Sequence, residues 1–457
     1  MKKNIDMLEG PIFPSIIRFV IPVILTNLLQ ILFNTADLIV VGQYCGSISV
    51  AAVSATSSLT TLIVNFFIGF SVGTGLSVAR SIGARQQEAV HRTVHTAIPT
   101  AAICGSIISL IGVLFSPTFL KWMDTPENVL PLSSVYMRIY FSGMIFNMLY
   151  NFSASVLRAT GETKLPLFFL TAAGVLNVVL NLFFVIVLKM NVAGVALATT
   201  ISQAVSAVLT IMALMRRTDE CRLIPSKIRI YPKELATVIR LGLPAGLQSS
   251  MFAISNVLIT SSINSFNSAA VISGNGASQS IEGVLSSITT AFSTTNINLI
   301  GQNSGAHKFD RVKKIYSTGM GCMATIVIAT SALIYLLREP LLSLYITDNP
   351  DALAYGVTRM HYVTLLYFIL GLMDNTTGAL RGLGYSFVPM IITLIGACGL
   401  RIVWIYTIFQ KHHTLSCLYQ SYPVTWIITF SVEIILFLLI CNKKQEAENI
   451  LSQRSIA

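Results

Sequence analysis

Charge is scarce in this sequence. Asp, Glu, Lys and Arg make up 11% of its 457 residues, against about a quarter in soluble domains. So little charge cannot cover a water-facing surface, which excludes an ordinary soluble globule. Metal-ligand and disulfide spacing is also missing. Cys45, Cys104, Cys221, Cys322, Cys398, Cys417 and Cys441 are scattered and read as small apolar residues. His91, His95, His307, His361, His412 and His413 make no HExxH pattern, and the glycines make no phosphate-binding loop. No catalytic constellation is visible, so neither an enzyme nor an ATP-driven machine is expected. No small-residue cleavage site follows Met1 to Gly10, so the first apolar stretch is expected to stay in the protein.

What fills the sequence instead is apolar side chain. Hydrophobic residues make up 54%, and the mean hydropathy is +0.73. About 20 residues of helix cross a bilayer. Twelve stretches reach that length: 14–41, 50–78, 93–116, 132–157, 165–188, 193–215, 236–262, 276–302, 314–337, 357–380, 387–410 and 420–441. The expected fold is an all-α integral membrane protein whose solvent is the lipid bilayer.

The net charge of +11 raises the question of nucleic acid, but its distribution argues for membrane orientation. With the N-terminus in the cytoplasm, 23 of the 30 Lys and Arg residues fall on the cytoplasmic side. They include Lys2, Lys3, Arg18, Arg80, Arg85 and Arg92, the segment from Arg216 to Arg240, and Lys443, Lys444 and Arg454. A multi-pass protein of the prokaryotic inner (plasma) membrane with both termini inside is expected, with no nucleic acid as partner.

The sequence repeats itself. Ile17-Arg18-Phe19-Val20-Ile21-Pro22 resembles Ile239-Arg240-Leu241-Gly242-Leu243-Pro244 at an offset of 222. The same offset relates Asn34 to Asn256, Ala55 to Ala277, and Gly83-Ala84-Arg85 to Gly305-Ala306-His307. At 223, Leu157-Arg158-Ala159-Thr160-Gly161 faces Leu380-Arg381-Gly382-Leu383-Gly384, and Pro166 faces Pro389. One register held over such a length is a duplication. Each half holds six spans, an even number, so the halves share an orientation. This predicts two six-helix lobes related by a pseudo-two-fold axis along the membrane normal. The expected divisions are 1–215, a basic cytoplasmic linker at 216–234, and 235–457. Such a pair encloses a complete cleft in one chain, so a functional monomer working by alternating access is expected.

Polar residues inside the spans mark the candidate site. Asn27, Gln30, Asn34 and Asp37 recur at three, four and three, which puts them on one helix face. A carboxyl at membrane depth costs roughly 2.5–3.5 kcal/mol, so Asp37 is either a group that carries a proton or cation, or one that pairs with a nearby Arg. Asn147, Tyr150 and Asn151 in span 4, and Asn177 and Asn181 in span 5, either join this site or glue helices together. In the second half, Asn275, Gln279 and Glu282 share a face, Asp374 and Asn375 lie in span 10, and Gln248 and Asn256 in span 7. Arg401 and Glu433 also lie at membrane depth and are expected to neutralise each other or Asp374. Tyr136, Tyr140, Tyr345 and Trp122 read as interface aromatics.

These features meet in a family. The chain resembles the multidrug and toxic compound extrusion (MATE) transporters over nearly its whole length. The resemblance is carried by Pro22, Asn34-Thr35-Ala36-Asp37 and Gly42, by Gly83-Ala84-Arg85, and by Leu157 through Pro166. It continues in Asn177, Gly194-Val195-Ala196-Leu197-Ala198-Thr199 and Arg381-Gly382-Leu383-Gly384-Tyr385-Ser386. It implies twelve helices in two lobes and export of small, cationic amphipathic drugs in exchange for H⁺ or Na⁺, with no other cofactor. The pattern is most similar to the bacterial and archaeal branch with an acid in the first span. There, Asp37 with the amides of spans 4 and 5 would form the cation site, with Na⁺ at Asp37, Asn177 and Asn181 as one form, and Pro22 would be the hinge. Asn177 matches the family directly, whereas Asn181 departs, since members often carry Asp there. Another branch places a Glu in span 7, where this chain has Met251 and Phe252. The span 10 acid of that branch corresponds to Asp374, which with Gln279 and Glu282 makes the second-half candidates. A lipid-linked oligosaccharide flippase of the related superfamily is the alternative, and it would show a more basic cavity. A major-facilitator transporter would carry a different motif after span 2.

Overall fold

The structure, a computed structural model, describes residues 5–346 and 349–456, without the side chains of Ser58, Asn449 and 451–456. Lys2, Lys3 and the side chain of Arg454, used above for orientation, lie outside it. All regular structure among the described residues is helical.

The helices are α1 (Ile12–Cys45), α2 (Ser47–Gly83), α3 (Gln87–Trp122), α4 (Leu130–Ser142), α5 (Met144–Ala159), α6 (Lys164–Leu182) and α7 (Asn191–Met215). Then come α8 (Pro232–Asn264), α9 (Ala269–Gly305), α10 (Phe309–Leu336), the short α11 (Arg338–Ser343), α12 (Pro350–Arg359), α13 (Tyr367–Gly382), α14 (Phe387–Thr393), α15 (Leu400–Lys411) and α16 (Leu415–Ile456). Among the described residues, counting α4 with α5, α12 with α13 and α14 with α15 as single rods, and leaving out the short α11, makes twelve, one for each expected span. Eight are long and apolar enough to cross a membrane, and the bent pair of α12 and α13 makes nine. α8 and α9 are as long, but Ser, Asn and Gly dilute their apolar content. Apolar side chains face outward: on α6, Val175 and Val179 are 58% and 57% exposed, while Asn177 and Asn181 are buried. That inversion of the soluble pattern suits lipid.

The duplication is legible in the helix ends. After α5, Gly161 takes φ +83°, its N–H reaches Arg158 O at 2.9 Å, and Glu162 N–H reaches Leu157 O at 3.1 Å. After α13, Gly384 takes φ +93°, and the matching bonds run to Arg381 O at 2.7 Å and from Tyr385 to Leu380 O at 3.0 Å. Both are the 6→1 cap that favours glycine. α2 and α9 end alike, with Arg85 and His307 at φ 54° and 58°.

The chain forms two compact units. One is built from Ile21–Ser250, the other from Asp6–Val20 and Met251–Ala457. The division falls inside α1 beside Pro22 and inside α8 just past Pro244, so the starts of these helices pack with the opposite half of the sequence. In the first unit, α8 crosses α2 at glycines: a Cβ on Gly246 would stand 2.2 Å from Phe66 O, and one on Gly73 would stand 2.4 Å from Val238 O. Gly69-x-x-x-Gly73 and Gly242-x-x-x-Gly246 are a small-residue pair that lets backbones touch. In the second unit, the start of the chain is tied down by Asn303, whose amide donates to Met7 O at 2.9 Å, and by Arg311 on Gly10 O.

The linker folds onto the first unit. Ile224 N–H donates to His95 Nε2 at 3.0 Å, and Cys221 and Leu223 are buried in the core under α3 and α5.

A carboxyl–amide cluster beside a cavity in the first unit

The site depends on close contact between α1 and α6. Gly174 has no side chain, and Phe33 occupies the place: a Cβ there would lie 1.8 Å from the ring. One turn further along α1, Asp37 is then level with Asn177 and Asn181. Asp37 is 8% exposed, Asn177 5% and Asn181 0%.

The bonds form a small network. Asn181 Nδ2 donates to Asp37 Oδ1, and Thr199 Oγ1 lies 3.3 Å from Asp37 Oδ2. Asn181 Nδ2 also reaches Asn177 Oδ1 at 3.2 Å, and Asn177 Nδ2 donates to Thr199 Oγ1 at 3.2 Å. Asn181 Oδ1 is buried and accepts nothing from the described residues. Among the described residues no Arg or Lys pairs with Asp37, so of the two readings of this acid the helix-fixing ion pair is not what the structure holds. Its partners are neutral donors, and the buried charge has no counter-ion among the described residues.

A cavity of about 250 Å³ opens on this cluster. Seven of the eight first-half candidates line it: Gln30, Asn34, Asp37, Asn147, Tyr150, Asn151 and Asn177. Asn181 stands behind Asp37 as its hydrogen-bond donor. The lining contains no Lys or Arg. Phe33, Ile68, Tyr140 and Leu170 supply apolar wall. The break at Gly143 contributes to the shape. Span 4 was expected to be continuous, but Thr200 fits against Gly143 and donates to Ile139 O at 3.3 Å. The helix restarts as α5 and presents Asn147, Tyr150 and Asn151 to the cavity.

The face of α7 escaped the sequence reading. Thr199, Ser202, Gln203 and Ser206 also line the cavity. Their spacing of i, i+3, i+4 and i+7 is the same polar-stripe signal that singled out α1, hidden because hydroxyls are common in spans.

The second-half candidates are not gathered in the same way. Glu282 is engaged: Arg359 holds it at 2.7 and 3.2 Å, and Thr364 donates to it at 3.1 Å. Arg359 also donates to Asn275 Oδ1 at 2.9 Å. Gln279 is exposed, and Asp374 is half-buried, its backbone carbonyl accepting from Ser293 at 2.9 Å. Arg401 and Glu433 do not neutralise each other. Arg401 stacks 4.2 Å from the Tyr422 ring centroid, and Glu433 lies within hydrogen-bond distance of Thr377 and Thr393.

Comparison with known families decides what this arrangement belongs to. The MatE family model matches residues 22–183 and again 244–407, one copy per half. The chain belongs to the MatE family. Its MatE relatives include the probable multidrug resistance protein YpnP of Bacillus subtilis, 28% identical over 87% of this chain and 89% of that protein. The multidrug export protein MepA of Staphylococcus aureus is 21% identical over 84% of this chain and 82% of its own. Among solved structures, an outward-facing multidrug resistance MATE transporter of the MOP superfamily superposes with a TM-score of 0.90 at 20% identity, covering 98% of this chain and 99% of that one. A MOP-superfamily transporter from Pyrococcus furiosus gives 0.90 at 20% identity over 97% and 99%. The twelve-helix MatE fold is thus the fold of this multi-pass membrane protein.

Proposed function

We propose that this chain is a cation-coupled antiporter that exports small, cationic amphipathic molecules by alternating access, with Asp37 as the coupling carboxyl. The observation that carries the reading is a lone buried acid, held by amides and a hydroxyl, at the edge of a cavity without basic residues. Relatives named for multidrug resistance and multidrug export support the substrate class. The absence of Lys and Arg from the cavity lining weighs against an anionic, flippase-type substrate.

Coupling follows from competition. When Asp37 is charged, it attracts a cationic molecule into the cavity. When it takes up H⁺, or Na⁺ with oxygens of Asn177, Asn181 and Thr199, that attraction is lost and the molecule leaves. The unpartnered Asn181 Oδ1 supports an ion binding at this point, because a buried acceptor without a partner costs about 1–3 kcal/mol. Pro22 supplies the hinge: it has no N–H for the carbonyl one turn back. Thr26 donates its hydroxyl to Pro22 O at 2.7 Å. The working unit is a monomer in the inner membrane, with both termini in the cytoplasm.

The test is efflux of ethidium from liposomes containing the full chain, driven by a proton gradient or a sodium gradient. Each coupled charge adds about 2.3 kcal/mol per 100 mV, roughly fifty-fold in accumulation. Wild type is expected to respond to one of the two gradients, which names the ion, and Asp37→Asn is expected to lose that response. Unchanged gradient-driven efflux in Asp37→Asn would overturn the assignment.

A further inference from the structure

The second unit holds a buried carboxyl that the reading above does not use. Glu433, on α16, is 0% exposed. Thr377 Oγ1, from α13, lies 2.9 Å from its Oε1 and 3.0 Å from its Oε2. Thr393 Oγ1, from α14, lies 3.0 Å from Oε1. Both threonines are buried, at 3% and 0% exposure. No Lys, Arg or His forms an ion pair with Glu433 among the described residues.

Counting hydrogens favours one state of this group. A hydroxyl carries one hydrogen. Thr393 Oγ1 is also 2.8 Å from the Pro389 carbonyl, which can only accept. With its hydrogen on Pro389 O, Thr393 has only lone pairs to offer Glu433. The 3.0 Å contact between Thr393 Oγ1 and Glu433 Oε1 is then a hydrogen bond only if the carboxyl supplies the hydrogen. A protonated Glu433 donates to Thr393 and accepts from Thr377, and every group is satisfied. An ionised Glu433 would rest a full buried charge on at most two hydroxyl hydrogens, those of Thr377 and Thr393, an arrangement proteins avoid.

The surroundings make that proton exchangeable. The charged and titratable groups acting on Glu433 are Asp374 and Arg381 of α13 and Tyr316 of α10. Asp374 and Thr377 are three residues apart on one helix, so the two acids flank the same turn. One guanidinium, that of Arg381, thus acts on two carboxyls. α14 runs directly into a π-helical turn at Leu394–Gly399, a local irregularity that recurs at functional sites.

We infer that Glu433, with Thr377 and Thr393, is a second exchangeable proton site, in the unit that does not contain Asp37. It holds its proton in the state described here and releases it in another state of the transport cycle. The site stands whether or not Asp37 is the coupling group.

The test is infrared difference spectroscopy of the full chain in liposomes, stepping pH in the absence of sodium. It compares wild type with Glu433→Gln, Asp37→Asn and Asp374→Asn. Gln is the conservative replacement, since its amide donates to Thr393 and its oxygen accepts from Thr377. A protonated-carboxyl stretch that rises as pH falls is expected in wild type. It should be lost in Glu433→Gln and retained in Asp37→Asn, and the pH profile of ethidium efflux should flatten in Glu433→Gln. Thr377→Val, which removes one hydroxyl and no acid, should shift the frequency of the same band, and it serves if Glu433→Gln does not purify as folded protein. Wild-type band and pH profile in folded Glu433→Gln, or a band insensitive to Thr377→Val, would overturn the inference. A Glu433 band that is constant at all pH values would overturn it too, leaving a static hydrogen-bonded acid.

Discussion

At the scale of single residues, two buried acids in different company illustrate how surroundings set a role. Asp37 is held by Asn181 and Thr199 and faces a cavity. Glu282 is held by Arg359 at 2.7 Å, with side chains 5% and 4% exposed. Asn181→Leu removes the donor to Asp37 and an amide oxygen beside it, and is expected to change coupling-ion affinity by about 1–3 kcal/mol, at least fivefold, downward for Na⁺, which loses a ligand, and upward for H⁺, because the bare carboxylate is less stabilised. The gradient dependence of ethidium efflux reports this, and an unchanged dependence would show Asn181 to be packing alone. For the second acid, Arg359→Leu strands a buried carboxylate and should cost about 3–5 kcal/mol. Adding Glu282→Leu removes the stranded charge, so the double variant should unfold at a higher temperature than Arg359→Leu. If it unfolds lower, Glu282 is not a stranded charge without Arg359, and its bond to Thr364 is enough to hold it. Asp37 was visible in the sequence because a carboxyl is rare in a span. The roles of Glu282 and Glu433 were not, because their partners come from other helices: Arg359 is 77 residues from Glu282, and Thr377 is 56 from Glu433.

At the scale of elements, the breaks and crossings carry the geometry. The α2–α8 crossing depends on glycine, and Gly246→Leu would drive a side chain into Phe66 O. Overpacking of this kind costs about 1–3 kcal/mol, and contact with rigid backbone puts it at the upper end. Gly246→Leu is expected to fail to yield monodisperse protein on size exclusion. Gly276→Ala, where nothing lies within 4 Å, should behave as wild type. Equal behaviour of the two would remove the crossing as a cause of stability. The spans were legible from length and hydropathy. The break at Gly143 and the π-helical turns at Phe183–Val187, Met360–Thr364 and Leu394–Gly399 were not. Each follows from what packs against the helix, and hydropathy does not register a single displaced carbonyl.

At the scale of the whole molecule, orientation is the quantity that the sequence predicts most directly. Ser226 in the linker and Asp124 after α3 are both exposed and should face opposite sides of the membrane. With the native cysteines replaced, Asp124→Cys should react with a membrane-impermeant maleimide in intact cells. Ser226→Cys should react only after permeabilisation. The reverse pattern would invert the topology, and the placement of both termini with it.

The sequence by itself determined the solvent, the number of rods, the duplication and the polar face of α1 that lines the cavity. These are one-dimensional properties: composition, length, register and period. Tertiary structure decided the rest. Asn181 became a donor to Asp37 because Gly174 admits Phe33, α7 became a wall of the cavity because Thr200 seats against Gly143, and Glu433 came to lie among threonines instead of against Arg401. The starts of α1 and α8 joined the opposite halves of the sequence because Asn303 holds Met7, and Gly246 meets Phe66. Contacts between residues far apart in the chain depend on which backbones can approach closely, and no local pattern of apolar and polar residues encodes that distance.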